Sequence, residues 1–280
     1  MNCNSSQTSL TQDQINAVHK LLDLVGERQL NDFGNITSDL KDDGTLITSC
    51  DRWSDKTIVE GLSKISSEEG VLSEEGCKKV PKSSAYWVVD PLDGTTNFSA
   101  GIPYWAISMA RLENGKPETA FLDVPALKKR ILAIRGKGVW LNGKQLTSES
   151  RLTTNSACVS LCSRSIRILQ TRPDKPFPGK IRLLGVSSLN MIGVAIGQTI
   201  GALEATPKIW DIASAWLILT ELNCSIKWLD LDPSNLSIGQ DLTSTSFPLL
   251  TASSKEELEK LLPWGELLIH SWDNIQDKVK

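Results

Sequence analysis

Along residues 11–28, Ile15, Val18, Leu21, Leu22 and Val25 recur at helical spacing with polar residues between them, a pattern that predicts an amphipathic helix. In LITSCDRWSDKTIVEGLSKI (46–65) a short extended piece leads into a second helix, with Trp53, Ile58 and Leu62 on one side. VLSEEG (71–76) predicts a strand running into a loop. AYWVVD (85–90) predicts a buried strand that ends at Val89 and delivers Asp90 to its carboxyl end. The stretch 106–146 reads as successive strands, with turns signalled by Asn114-Gly115, Gly136/Gly138 and Asn142-Gly143. The polar, turn-rich SESRLTTNSA (148–157) reads as a link. Beyond it, ACVSLCS predicts a strand, SSLNMIGVAIGQTIG a small-residue helix and ALEATPKIW a strand or connector. DIASAWLILTEL predicts a helix, and LLTASSKEELEKLLPW a strand followed by a helix capped near Ser253. The whole is an α/β chain of layered helices and sheets in two halves, 1–148 and 149–280, forming one compact unit.

Composition narrows the function classes. A net charge of −3, with 40% hydrophobic and 22% charged residues, gives no reason to expect nucleic acid or an anionic membrane as partner. No apolar run approaches the ~18–20 residues that span a bilayer, and the start MNCNSSQTSLTQDQ lacks the basic and apolar regions of a secretory signal. A cytoplasmic protein is expected. The six scattered cysteines, with no C-x-x-C pair, then read as reduced thiols. The two histidines, His19 and His270, lie far from any polar motif, at the surface or core edge. Chemistry built on histidine is therefore not expected.

The candidate chemistry sits in WVVDPLDGTTNFSAG (87–101). Asp93 follows Asp90 closely enough for both carboxylates to converge, Pro91 stiffens the turn, and Gly94 permits a backbone barred to bulkier residues. Thr95-Thr96-Asn97 reads as a helix start whose free N–H groups favour an anion. Oxygen donors without cysteine or histidine suit Mg²⁺ rather than Zn²⁺. A Ca²⁺ loop or a charged surface turn is the alternative for this stretch alone. Glu74-Glu75, Asp211 at the head of an apolar helix, and Asp51 each read singly as a solvated turn or a helix cap.

Taken in order, E-E, D-P-L-D-G-T-T-N-F and W-D-I-A-S-A resemble the inositol monophosphatase family of Mg²⁺-dependent, lithium-sensitive phosphatases. The resemblance extends over the Lys41…Asp51 segment, GKGVWLNGKQL and GVSSLNMIGVAIG. It implies an αβαβα five-layer sandwich, commonly a homodimer, and two to three Mg²⁺ ions per site. It makes Glu74, Asp90 and the Leu92 carbonyl ligands of one ion, and Asp90, Asp93 and Asp211 ligands of a second. A third, weaker ion would sit near Glu74, largely through water. Gly94 and Thr95 would give backbone N–H groups to the phosphate, and the Thr95 hydroxyl, paired with Asp51, would orient the attacking water. Glu75 receives no ligand role.

The resemblance also bears on substrate. Thr96-Asn97 stand where relatives acting on 3′-phosphoadenosine 5′-phosphate usually carry Lys-Glu. Glu204 matches a position that hydrogen-bonds sugar hydroxyls, with Ser187 beside the expected pocket; a surface carboxylate on a connector is the alternative for Glu204. The implied reaction is hydrolysis of myo-inositol 1-phosphate, with fructose 1,6-bisphosphate, galactose 1-phosphate or histidinol phosphate as alternatives, and a silent sugar-phosphate sensor as another. Two departures stand out. Val186 follows Gly185 where the family usually has a small or hydroxylated residue, and Asn223-Cys224 replace a glycine pair. Trp87, Trp105, Trp140, Trp210 and Trp216 are expected in the core, and Trp264 and Trp272 at a dimer contact.

Overall fold

The computed structural model describes residues 9–41, 44–150, 157–171 and 175–276, with side chains for all of these but 150, 171 and 270–276. Two helices, α1 (Gln12–Asp32) and α2 (Ser49–Ile65), flank a short hairpin, β1 (Ser38–Leu40) with β2 (Leu46–Thr48). Both helices start with a capping box, Thr11 with Gln14 and Thr48 with Asp51. A seven-stranded sheet follows in sequential order. Its strands are β3 (Gly70–Ser73), β4 (Ala85–Asp93), β5 (Ala106–Glu113), β6 (Lys116–Val124), β7 (Lys129–Ile134), β8 (Gly138–Leu141) and β9 (Lys144–Leu146). Only β3 and β4 pair in parallel. Asn114-Gly115 and Asn142-Gly143 make the hairpin turns with positive φ at both positions, as expected of such pairs.

Strand alternation sorts the side chains of this sheet between two cores. Trp87, Val89, Ile107, Met109 and Phe121 face α1 and α2, packing on Val18, Leu22, Ile58 and Leu62. Tyr86, Val88, Ala110 and Leu122 face the other way, onto two central helices, α5 (Ser187–Ala195) and α6 (Ile209–Glu221). Short α3 (Thr95–Ser99) and α4 (Arg167–Thr171) precede them. A five-stranded sheet lies beyond, in the order β11-β10-β12-β14-β13. Its members are β10 (Cys158–Leu161), β11 (Lys180–Arg182), β12 (Gly201–Glu204), β13 (Ser225–Trp228) and β14 (Leu249–Ala252). Its outer face packs Val159, Leu161, Leu203 and Leu250 on Leu261, Trp264 and Leu268 of α7 (Lys255–Gln276). The layers therefore run α, β, α, β, α.

Several expectations need correction. The strand carrying the motif does not stop at Val89; β4 runs to Asp93, with its pairing to β5 shifted between Asp90 and Asp93. The helix expected over 187–201 ends at Ala195, where Gln198 and Thr199 N–H groups turn back onto the Gly193 carbonyl. α7 passes through Pro263 because Leu261, Trp264 and Leu268 keep one buried face across it. Trp264 is only 5% exposed and stacks edge-on against Phe177, so it serves the core, not a dimer contact. Trp87, Trp105 and Trp210 are buried as expected, while Trp140 and Trp216 are half-buried. Asn223 takes the place of a glycine in a left-handed conformation (φ 55°) just past α6, which asparagine tolerates. Cys50, Cys77, Cys158, Cys162 and Cys224 form no disulfide with one another. Cys3, residues 151–156 of the expected link, and the side chains of His270 and Trp272 lie outside what is described.

Candidate active site

The shift in β4 is what turns two aspartates of one strand toward one place. Asp90 Oδ1 accepts the Leu92 N–H at 3.0 Å, folding the chain back on itself before Asp93. Gly94 follows at φ 105° and opens α3. A Cβ there would lie 2.8 Å from Val186 Cγ2 and 3.3 Å from the Tyr104 carbonyl, so glycine is required by conformation and by space. Asn97 fastens the turn from the other side, donating to the Tyr104 and Leu184 carbonyls at 3.0 and 2.8 Å. This bond sets Gly185-Val186 against the motif.

Asp211 arrives from the far half of the chain at the third position of α6, where its Oδ2 accepts the Lys208 N–H at 2.7 Å. The cap role and the site role therefore coexist in one side chain. Carboxylate oxygens of Asp90, Asp93 and Asp211 lie within 4.8 Å of one another. Asp93 also accepts the Ser188 N–H at 2.7 Å. Withdrawal from water and mutual repulsion raise Asp90 and Asp211 well above the ordinary carboxylate range. Withdrawal from water likewise raises Asp93, to about 6, against the pull of its Ser188 bonds. Three carboxyls crowded in this way, all oxygen donors, fit a hard divalent cation such as Mg²⁺.

Asp51 and Thr95 meet beside the triad. Thr95 Oγ1 lies 2.8 Å from Asp51 Oδ1 and 3.2 Å from the Leu92 carbonyl oxygen. The other Asp51 oxygen is held by the Thr48 N–H at 2.8 Å and by the Thr48 hydroxyl. Asp51 is thus a helix cap on one oxygen and the Thr95 partner on the other. Burial raises it above the ordinary carboxylate range, although the Thr48 and Thr95 bonds oppose this.

Glu74 stands outside the triad. Its N–H bonds the Val89 carbonyl at 3.1 Å, extending the β3–β4 pairing toward Asp90, while its carboxylate pairs with Lys41 Nζ at 2.8 Å. Lys41 also pairs with Glu75, whose carboxyl is pushed up to about 7 by burial and by Glu74. Lys41 had been given no partner from the sequence; a lysine in the loop of a short hairpin carries no local pattern that assigns it to acids in another element.

A pocket of about 180 Å³ adjoins Asp211, lined among others by Val186, Ser187, Asn190 and Glu204. Glu204 is 1% exposed, so it is not a surface carboxylate. Ser187 Oγ donates to its Oε2 at 2.9 Å and Asn190 Nδ2 to its Oε1 at 2.7 Å. Burial nevertheless pushes it up to about 8. Asn190 was not foreseen; its place one helical turn after Ser187 was the available signal. Val186 lines this pocket and fills the space beside Gly94, so the departure from the family pattern falls between the motif turn and the pocket.

Comparison with known proteins identifies the family. A profile described as the inositol monophosphatase family matches residues 7–263. The chain is 29% identical over 217 residues to the fructose-1,6-bisphosphatase/inositol-1-monophosphatase of Thermotoga maritima, covering 75% of this chain and 82% of the relative. It is 31% identical over 220 residues to the putative Nus factor SuhB of Neisseria meningitidis serogroup B, covering 74% and 84%. A solved inositol monophosphatase of Thermotoga maritima superposes with a TM-score of 0.75 over 92% of this chain and 100% of that one, and at 24% identity it supports the fold alone. The chain belongs to the inositol monophosphatase family, a family of phosphatases.

Proposed function

We propose that this phosphatase is a Mg²⁺-dependent phosphomonoesterase acting on a small polyol or sugar phosphate, with myo-inositol 1-phosphate as its first substrate. The observation that carries it is the Asp90–Asp93–Asp211 triad standing beside the Asp51–Thr95 pair. Glu74, Asp90 and the Leu92 carbonyl would hold one Mg²⁺, and Asp90, Asp93 and Asp211 a second, with a third near Glu74 held largely through water. When bound, these ions supply charge neutralisation at the phosphoryl oxygens, a lowered pKa for water and stabilisation of the departing alkoxide.

The chain's own residues do the positioning. Thr48 fixes the Asp51 carboxylate, which orients the Thr95 hydroxyl, and Thr95 in turn orients the attacking water. Gly94 and Thr95 offer backbone N–H groups to the phosphate. Glu204 and Ser187 accept and donate to the hydroxyls of the alcohol. Lys41 must leave Glu74 before Glu74 can take a metal. The proposal includes a cytoplasmic homodimer; no described helix is long and apolar enough to cross a bilayer.

Phosphate release from myo-inositol 1-phosphate, fructose 1,6-bisphosphate and 3′-phosphoadenosine 5′-phosphate, each with Mg²⁺ and with EDTA, tests the proposal. Mg²⁺-dependent release from the first is expected. Release from another ester alone keeps the mechanism and moves the substrate. A protein that cleaves none of them is not this enzyme, and a sensor role takes its place.

A further inference from the structure

One polar side chain interrupts the buried stripe of α1. Ile15, Val18, Leu22 and Val25 recur at helical spacing, and the next position of that stripe holds Gln29. Gln29 is fully buried. Burying an amide costs free energy unless its hydrogen bonds are made, and Gln29 makes them to three different elements. Its Nε2 donates to the Pro91 carbonyl at 2.8 Å and to Ser54 Oγ of α2 at 3.2 Å. Its Oε1 accepts the Trp105 Nε1–H at 2.9 Å, just ahead of β5.

Trp105 decides which way this amide points. Its ring is wedged between Phe33 and Phe98, with centroids 4.7 and 5.0 Å away, and an indole N–H can only donate. The amide oxygen therefore faces Trp105, which leaves the NH₂ group toward Pro91. Pro91 needs such a donor. The pairing of β4 with β5 shifts between Asp90 and Asp93, so the ladder passes over its carbonyl, and a buried carbonyl requires a partner. The Pro91–Leu92 peptide is thus held at both ends: Gln29 bonds its C=O, and Asp90 Oδ1 accepts its N–H at 3.0 Å. Because a peptide is planar, two such bonds fix its orientation. The next carbonyl along is that of Leu92, proposed above as a Mg²⁺ ligand, which accepts the Thr95 hydroxyl at 3.2 Å.

We infer that Gln29 is a positioning residue of the metal site: by fixing the Pro91–Leu92 peptide it aims the Leu92 carbonyl and keeps Asp90 in place beside it. This rests on the phosphatase reading above and deepens it. Gln29 touches neither metal nor substrate and acts through the peptide. A glutamine that only joined α1, α2 and β5 would affect stability alone; a positioning residue also sets metal affinity.

Calorimetric titration with Mg²⁺, well below the melting temperature, separates the two. Gln29→Met keeps the length of the side chain and removes both of its bonding ends. It is expected to weaken Mg²⁺ binding by roughly tenfold, as loss of a bond behind a metal ligand does. Ser54→Ala removes another partner of the same amide and leaves the Pro91 bond. It is expected to bind Mg²⁺ as the wild type does, even where its melting temperature in EDTA falls. Should Gln29→Met not fold, Trp105→Phe carries the test: it removes the donor that orients the amide and is expected to weaken Mg²⁺ binding in the same direction. Wild-type affinity in a folded Gln29→Met, or in Trp105→Phe standing in for it, overturns the inference, as does an equal loss in Ser54→Ala. A wild-type protein that takes up no Mg²⁺ instead brings down the phosphatase reading and this inference together.

Discussion

The two sides of the site are built by different means. The shelf takes Asp90, Leu92, Asp93, Gly94 and Thr95 from one continuous stretch, with Asp211 added from α6, and its shape comes mainly from the backbone: a shifted pairing and a positive φ. The pocket takes Arg164, Val186, Ser187, Asn190, Glu204 and Asp211 from four separate segments, and side-chain bonds between elements give it shape. A backbone-built shelf has little room for substitution. A pocket assembled from side chains can change its ligand while the shelf keeps its chemistry.

Asp93→Asn strikes the shelf and should have the largest effect. It removes one negative charge from the triad, and Mg²⁺-dependent phosphate release should fall on the order of a thousandfold while far-UV circular dichroism is unchanged. Retained activity would show that the triad is not the metal site. Gly94→Ala should come next. The added methyl meets Val186 in a conformation that alanine resists, costing about 1–3 kcal/mol in a thermal melt and about a hundredfold in turnover through displacement of the shelf.

Glu204→Gln probes the pocket. KM should rise roughly tenfold through lost hydrogen bonds to the substrate, with kcat less affected. A drop in kcat alone would place Glu204 with the shelf. The variant also has a pH signature. Glu204 binds its proton more tightly folded than unfolded, so its contribution is full below the unfolded pKa of ~4.3 and is lost as pH rises through about 8. In EDTA the wild-type melting temperature should therefore decline across that window, and Glu204→Gln should flatten the decline. The size is on the order of a few kcal/mol.

Lys41→Ala tests the seam between shelf and loop. Removing an ammonium that competes for Glu74 should lower the Mg²⁺ concentration at the midpoint of a thermal-shift titration by roughly two- to fivefold. A midpoint that rises instead would make Lys41 a helper of the metal. Smallest in structural terms, millimolar Li⁺ should inhibit turnover, as the family resemblance implies; an insensitive enzyme would belong with the less sensitive branches.

The shelf was legible in the sequence because its parts are neighbours. Asp90, Asp93 and Gly94 lie within one turn's reach, and an apolar run before them declares the strand. The strand end was misjudged by four residues because carboxylates read as a strand terminus in a linear sequence, whereas β4 buries both Asp90 and Asp93. Asp51 and Asp211 showed only cap roles in their own local stretches; the family resemblance implied their site roles, and the fold places Thr95 beside Asp51 and Asp90 beside Asp211. Asn190 and Arg164 were missed because no motif gave either of them a role, and each acquires meaning from a strand or helix beside it.

By itself the sequence determined the amphipathic faces of α1 and α2, the Asn-Gly hairpins and the oxygen-rich shelf. Periodicity and turn chemistry act within a few residues, so a linear reading captures them. Tertiary structure alone decided that Lys41 reaches Glu74, that Glu204 is buried between Ser187 and Asn190, and that Arg164 shares a rim with Glu204. Those contacts depend on the register of β10 against β12 and on the packing of α5 and α6 between two sheets. Register between distant segments is set by how whole layers bury their apolar faces, which no local stretch encodes.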